Sequence, residues 1–153
     1  MYSTPKSIIL VEDDPNDVFF VRHALEAARI QNPLSVFEGG EQIRAHLASQ
    51  PKEASPVLIM LDLTLSGGET GLDVLAWIRE QSEPLSSTPA MVLTGSRRPE
   101  DRLDSRRLGA VTFLEKPVTE GTLSDAAQTL GFVIVHERSG QAGARIIKRR
   151  DEW

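Results

Sequence analysis

A doubly wound α/β fold built on a five-stranded parallel sheet is predicted by five short apolar runs, by their lack of in-out alternation, and by the helical pattern after each. The runs are Ile8–Val11, Leu34–Phe37, Val57–Leu61, Ala90–Leu93 and Val111–Leu114. Strands of a parallel sheet are covered on both faces, so they read as continuous apolar stretches. Strand and helix alternating in this way, joined by right-handed crossovers, set helices on both sides of the sheet.

Taken in order, the first helix is expected to open at Pro15, whose missing N–H would have no partner in a first helical turn anyway. Val18, Val21, Leu25 and Ala28 then recur on one face at the helical period. A second helix spans about Glu41 to Ser49. A third runs from Gly71 to Gln81 with Val74, Leu75 and Ile78 inward. A fourth is expected from Pro99 to Leu108, stopped by Gly109. The fifth starts near Thr119 and gathers Leu123, Ala126, Ala127 and Leu130 on one side. The stretches Gln50–Pro56 and Glu83–Pro89 carry the proline and serine of surface turns. Beyond Leu130 the pattern changes. Gly131 interrupts the helix, Phe132–Val135 reads as a strand, Ser139–Gly143 is small and polar, and Arg145–Arg150 sets Ile146 and Ile147 among four basic residues. The expected organisation is one domain over residues 1–130 and an extension over 131–153.

Composition narrows the function classes. A chain of 153 residues supports one domain with a real core and is short for two. No apolar run is long enough to span a membrane and no signal-type stretch opens the chain, which points to a cytoplasmic location. The net charge of −5 argues against broad nucleic-acid binding; the basic tail is followed by Asp151 and Glu152. The absence of cysteine excludes disulfides, thiol catalysis and zinc-thiolate sites. His23, His46 and His136 are scattered, form no ligand motif and are expected to face solvent.

In doubly wound sheets ligands bind beyond the carboxyl ends of the strands. Here those ends are reactive: Glu12-Asp13-Asp14 after the first, Asp62 after the third, Thr94 at the fourth, and Glu115-Lys116-Pro117 at the fifth. The fold would bring acids, a hydroxyl and a lysine to one edge. Read by itself, the acidic triplet is equally a solvated turn capping the first helix, and Asp14 is suited to that alone. Thr94 is equally a plain β-branched strand residue, and most lysines are merely exposed.

The segments Ile9-Leu10-Val11-Glu12-Asp13-Asp14-Pro15, Leu61-Asp62-Leu63, Val92-Leu93-Thr94-Gly95 and Lys116-Pro117, in that order and each at a strand end, resemble the receiver domain of two-component response regulators. The resemblance covers about Lys6 to Leu130. The opening Leu-Val-Glu-Asp-Asp-Pro-Asn-Asp is most similar to the small receivers that partner phytochrome-type histidine kinases. The resemblance implies a flavodoxin-like receiver fold and a phosphoryl-accepting signalling protein rather than an enzyme with a substrate of its own. It implies Asp62 as the phosphoacceptor, its carboxylate attacking phosphorus, with a histidine kinase as donor. It implies Mg²⁺ bound by Asp13 and Asp62, by Glu12 mainly through water, and by the backbone carbonyl of Thr64. Lys116 would reach the phosphoryl oxygens as a point charge, and its bond to Pro117 is a candidate cis peptide. Thr94 would serve as a hydroxyl switch beside Gly95. Phe113 stands where the family carries an aromatic rotamer switch, although a core phenylalanine fits there as well.

Two departures from the family pattern stand out. The loop after Asp62 reads Leu63-Thr64-Leu65-Ser66-Gly67-Gly68-Glu69-Thr70-Gly71, with Ser66 in place of the usual proline and one extra residue before Gly71. A longer, glycine-rich loop is expected to be more mobile. Arg97-Arg98 adds a basic pair positioned to steer a phosphorylated donor. An aspartate-nucleophile phosphatase is the competing enzyme class, but it needs a second carboxylate two residues after the nucleophile, and position 64 is threonine. A degenerate receiver serving only as a scaffold would be expected to lack some of Glu12, Asp13, Asp62, Thr94 and Lys116, and all are present. The apolar residues of the extension point to a homodimer in which it serves as a dimerisation arm. The alternative is that Phe132–Val135 packs back on its own domain or lengthens the fifth helix.

Overall fold

A computed structural model describes residues 5–95, 108, 109, 111–136 and 144–148. The elements are β1 (Ile8–Val11), α1 (Pro15–Ala27), β2 (Leu34–Phe37), α2 (Gly40–Ser49), β3 (Leu58–Asp62), α3 (Gly71–Arg79), β4 (Ala90–Thr94), β5 (Val111–Glu115), α4 (Glu120–Thr129), β6 (Phe132–His136) and β7 (Ala144–Lys148). Strands β1 to β5 form one sheet in the order β2-β1-β3-β4-β5, all parallel. This is the expected doubly wound architecture. The fourth helix expected at Pro99–Leu108 falls almost entirely outside the described residues, as do Arg97-Arg98, Ser139–Gly143 and Trp153.

The unbroken apolar runs have a direct cause in packing. Alternate residues of each central strand enter two separate cores, one on each face of the sheet. Ile8 and Leu10 of β1, Leu58 and Met60 of β3, and Met91 and Leu93 of β4 pack with Val21 and Leu25 of α1 and Leu123 and Ala126 of α4. Ile9 and Val11, with Ile59 and Leu61, pack on the other face with Ile43 and Leu47 of α2 and Val74, Leu75 and Ile78 of α3. No position in these strands faces water, so none is polar until the strand ends.

Helix boundaries follow local chemistry. Asp14 caps α1, its carboxylate accepting the Asn16 amide at 2.8 Å, with Pro15 in the first turn. Thr70 and Asp73 form a reciprocal capping box on α3, each side chain accepting the other's amide. Helix α3 stops two residues short of the expected Gln81. The amides of Glu80 and Gln81 reach back three residues instead of four, to the carbonyls of Trp77 and Ile78 at 3.1 Å, which tightens the final turn. Trp77 itself is half-buried against the α2–α3 core.

One expectation is adjusted by side-chain packing. His46 does not face solvent; its ring is half-buried with its centroid 4.8 Å from that of Phe37. His23 is exposed, stacked on Phe19 of the same helix. The strand expected at Phe132–Val135 runs one residue further, to His136, and pairs antiparallel with Ala144–Lys148 in a two-stranded sheet separate from the main one. Its first residue, Phe132, is 3% exposed and belongs to the α1–α4 core.

Candidate active site

The chain leaves β1 toward β2 on one side of the sheet and leaves β3 toward β4 on the other, so β1 and β3 lie side by side where the winding reverses. A crevice opens at such a point beyond the carboxyl ends of the strands. Register fills it. Val11 pairs with Leu61, which sets Glu12 beside Asp62. The ladders run one residue further on both sides, Glu12 donating its amide to Phe37 O at 2.9 Å and Leu63 to Leu93 O at 2.9 Å. Glu12 and Asp62 are therefore buried carboxylates held by sheet, while Asp13 is only partly covered. One carboxylate oxygen from each of Glu12, Asp13 and Asp62 lies within 4.8 Å of the others.

Lys116 follows β5, and its amide donates to the Thr94 carbonyl at 2.8 Å, which ties the ends of β4 and β5 together. The Lys116–Pro117 peptide is cis, as expected. The Lys116 ammonium meets three carboxylates: Asp17 Oδ2 at 2.8 Å, Asp62 Oδ1 at 3.1 Å and Glu12 Oε2 at 3.2 Å. Burial alone would lower its pKa. The hydrogen bonds to Asp17 and Asp62 and the charge of Glu12 outweigh that and hold it above the usual lysine range. Asp62 Oδ1 also accepts the Thr64 amide at 3.1 Å, so two donors orient the carboxylate. Thr94 is buried at the end of β4, and Phe113 is half-buried in register with Val92.

Burial, and next the Asp62 carboxylate beside it, push Glu12 up to about 8, against the opposing pull of the Asp14 amide and Lys116. Asp13 goes the other way. The Ser66 hydroxyl donates to its Oδ2 and holds its carboxyl below the ordinary aspartate value.

The loop after Asp62 is bound down at its base. Gly71 donates to Leu63 O at 3.1 Å and Leu65 to Glu69 O at 3.3 Å, with Thr64 and Thr70 bridged across. The tip of the loop is the turn Ser66–Gly68, where Gly67 and Gly68 have φ of +83° and +84°. Leu65 is buried, and Glu69 forms a bidentate pair with Arg44 of α2 at 2.7 and 3.2 Å. At the loop's end, a Cβ on Gly71 would lie 2.3 Å from the Asp62 carbonyl oxygen. That close approach of helix to strand is open only to glycine. Gly71→Ala is expected to cost about 1–3 kcal/mol and to displace Asp62, read as a lower urea midpoint with an unchanged slope.

A model of the response regulator receiver domain matches residues 8–128. The chain belongs to that family. Response regulator Rcp1 of Synechocystis sp. is 35% identical over 115 residues, covering 73% of this chain and 77% of that protein. Bacteriophytochrome response regulator RtBRR is similar in structure with a TM-score of 0.76 at 32% identity, over 88% of this chain and 83% of that one. The Mn(2+)-bound form of Rcp1 matches at a TM-score of 0.64 and 33% identity, over 80% of this chain and 89% of that one.

Receiver domains bind a divalent metal ion, and the acidic cluster of this receiver fits one. Its donors are all oxygens, the set that hard cations prefer. Glu12 Oε2 is buried and accepts no hydrogen bond among the described residues, although Lys116 lies near. A buried carboxylate oxygen in that condition suits a cation or its water. Among the described residues, no helix is long and apolar enough to cross a membrane.

Sequence reasoning placed Glu12, Asp13, Asp62, Thr94 and Lys116 at one sheet edge, and the structure brings them together. It assigned nothing to Asp17 and saw in Ser66 only a missing proline. Asp17 is the last residue of the opening motif and stands in the first turn of α1, directly over the crevice. That position was the available signal.

Proposed function

We propose that this receiver takes a phosphoryl group onto Asp62 from the phosphohistidine of a sensor histidine kinase, and signals through the contacts it then changes. The observation that carries this reading is the Asp62 carboxylate: buried at the end of the central strand, with one oxygen held by both the Thr64 amide and the Lys116 ammonium. In the transfer an Asp62 oxygen forms a bond to phosphorus while the bond from phosphorus to the donor imidazole nitrogen breaks. The electron pair stays on that nitrogen. Glu12, Asp13, Asp62 and the Thr64 carbonyl would hold Mg²⁺, which supplies neutralisation of charge on the phosphoryl oxygens. Lys116 orients the acceptor before transfer and binds a phosphoryl oxygen after it. The Thr94 hydroxyl moves toward the same group and Phe113 turns inward behind it. The protein thus acts on no substrate beyond its own phosphoryl group.

The likeness to the bacteriophytochrome response regulator RtBRR favours a phytochrome-type kinase as the donor, and a cytoplasmic setting suits such a partner. The reading has no nucleic-acid or membrane partner. Labelling with radioactive acetyl phosphate and Mg²⁺, followed by mass mapping, tests it; label on any residue but Asp62 would end the assignment.

Lys116→Ala is expected to leave metal binding largely intact but to uncouple phosphorylation from the surface change. Hydrogen exchange around Thr94 and Phe113 should then stay at its unphosphorylated level, whereas an unaltered response would remove Lys116 from the switch.

We further propose that residues 131–153 form an arm by which two copies associate. An isolated two-stranded sheet is marginal in water and presents two strand edges, a situation that a second chain relieves. Because Phe132 seats in the receiver core, the informative truncation ends at Phe132. Light scattering should show the full chain as a dimer and the truncated chain as a monomer. Equal masses per particle would dismiss the arm.

A further inference from the structure

We propose that Asp17 is a positioning residue that competes with the phosphoryl group for the Lys116 ammonium. This rests on the reading of Asp62 as the acceptor. Of the three carboxylates around Lys116 Nζ, Asp17 is the nearest, at 2.8 Å against 3.1 Å for Asp62 and 3.2 Å for Glu12. Asp17 and Asp62 take its hydrogen bonds, whereas Glu12 Oε2 accepts none. An ammonium has only three hydrogens to direct. A phosphoryl group on Asp62 adds further anionic oxygens to a crevice that already holds Glu12, Asp13 and Asp62. Lys116 is the cation that the described residues bring into contact with both Glu12 and Asp62. Its bonds to Asp17 and Asp62 use two of those hydrogens, so a phosphoryl group that takes more than the third must draw on these partners, and the Asp17 bond is the one outside the acceptor itself.

The two ends of this bond differ in surroundings from the rest of the site. The side chains of Asp17 and Lys116 are 21% and 20% exposed, against 6% for Asp62 and none for Glu12. A released Asp17 carboxylate would therefore be taken up by water at small cost, so the exchange is reversible. Asp17 stands on α1 rather than on the sheet, so the bond fastens the β5 lysine to the first turn of that helix. It sets a threshold: the phosphoryl group draws Lys116 fully toward Asp62 only to the extent that it displaces Asp17.

The test uses the full chain with saturating Mg²⁺ and beryllium fluoride, whose BeF₃⁻ unit coordinates an aspartate oxygen as a phosphoryl mimic; ¹⁹F NMR separates bound from free. Asp17→Asn should tighten BeF₃⁻ binding by about fivefold, the scale of a partly exposed ion pair. Asp17→Glu, which restores the charge, should return it toward wild type. Asp14→Asn removes the same charge from the same helix end and keeps a good cap, but Asp14 bonds Asn16 and not Lys116, so its affinity should stay at the wild-type value. Asp17→Ser repeats the measurement if the Asn variant fails to fold. Unchanged or weaker binding in the Asp17 variants would overturn the competition, and equal tightening in Asp14→Asn would reduce it to bulk charge. A wild-type protein that binds no BeF₃⁻ would instead remove the reading of Asp62.

Discussion

Asp62→Asn should lower labelling by acetyl phosphate to background, a loss of about two orders of magnitude or more, because a neutral amide cannot act as the anionic nucleophile. The fold should survive. Asparagine keeps the shape of the side chain and an oxygen for the Thr64 amide, so circular dichroism and the urea midpoint should stay near wild type. Full labelling of this variant would place the acceptor elsewhere. The substitution also removes a carboxylate from beside Glu12, one of the groups that push that residue's pKa upward. Glu12 in Asp62→Asn should accordingly titrate lower than in the native protein, a shift that carbon-detected NMR of the carboxyl would read.

The second large effect concerns the metal. Asp13→Ala should weaken Mg²⁺ binding on the order of a hundredfold, whereas Asp14→Ala, whose carboxylate is spent on the α1 cap, should change it by roughly threefold or less. Calorimetric titration of both variants decides it, and equal losses would show that the acidic triplet is misassigned. The same titration should depend on pH. Glu12, raised from 4.5 to about 8, keeps its proton at neutrality in the metal-free protein. A cation in the cluster displaces that proton. Affinity should therefore rise with pH, by up to about tenfold per unit, and level off above about 8. Stability of the metal-free protein should move in the opposite sense. Between 4.5 and about 8 the folded chain holds a proton that the unfolded chain has lost, so stability falls as pH rises through that window.

The strands and the reactive edge were legible because both are written in continuous stretches of sequence. A run such as Leu58-Ile59-Met60-Leu61 feeds two cores alternately, and a strand so covered turns polar only where it ends, at Asp62. Acids at the ends of apolar runs therefore mark the crevice. What escaped depends on reach across space. Ser66 meets Asp13 only because the loop tip folds over β1's end, and Glu69 meets Arg44 only because α2 lies beside the same loop. The loop itself looked loose from its glycines. The bonds that fasten it, from Gly71 and Leu65 to backbone carbonyls, carry no sequence signature. Asp17 escaped for a related reason: an acid in a first helical turn is ordinary, and nothing in its neighbours announces a lysine ninety-nine positions away.

Phe132 gives the extension a mechanical character. Its ring fills a place among α1, α4 and the sheet, like a plug, at the point where β6 begins. A load on the hairpin is borne first at that plug. A partner that gripped the arm would thus pull on the same core that seats Val21 and Leu25 of α1, the helix whose first turn carries Asp17. The extension and the crevice thus meet the same helix, α1.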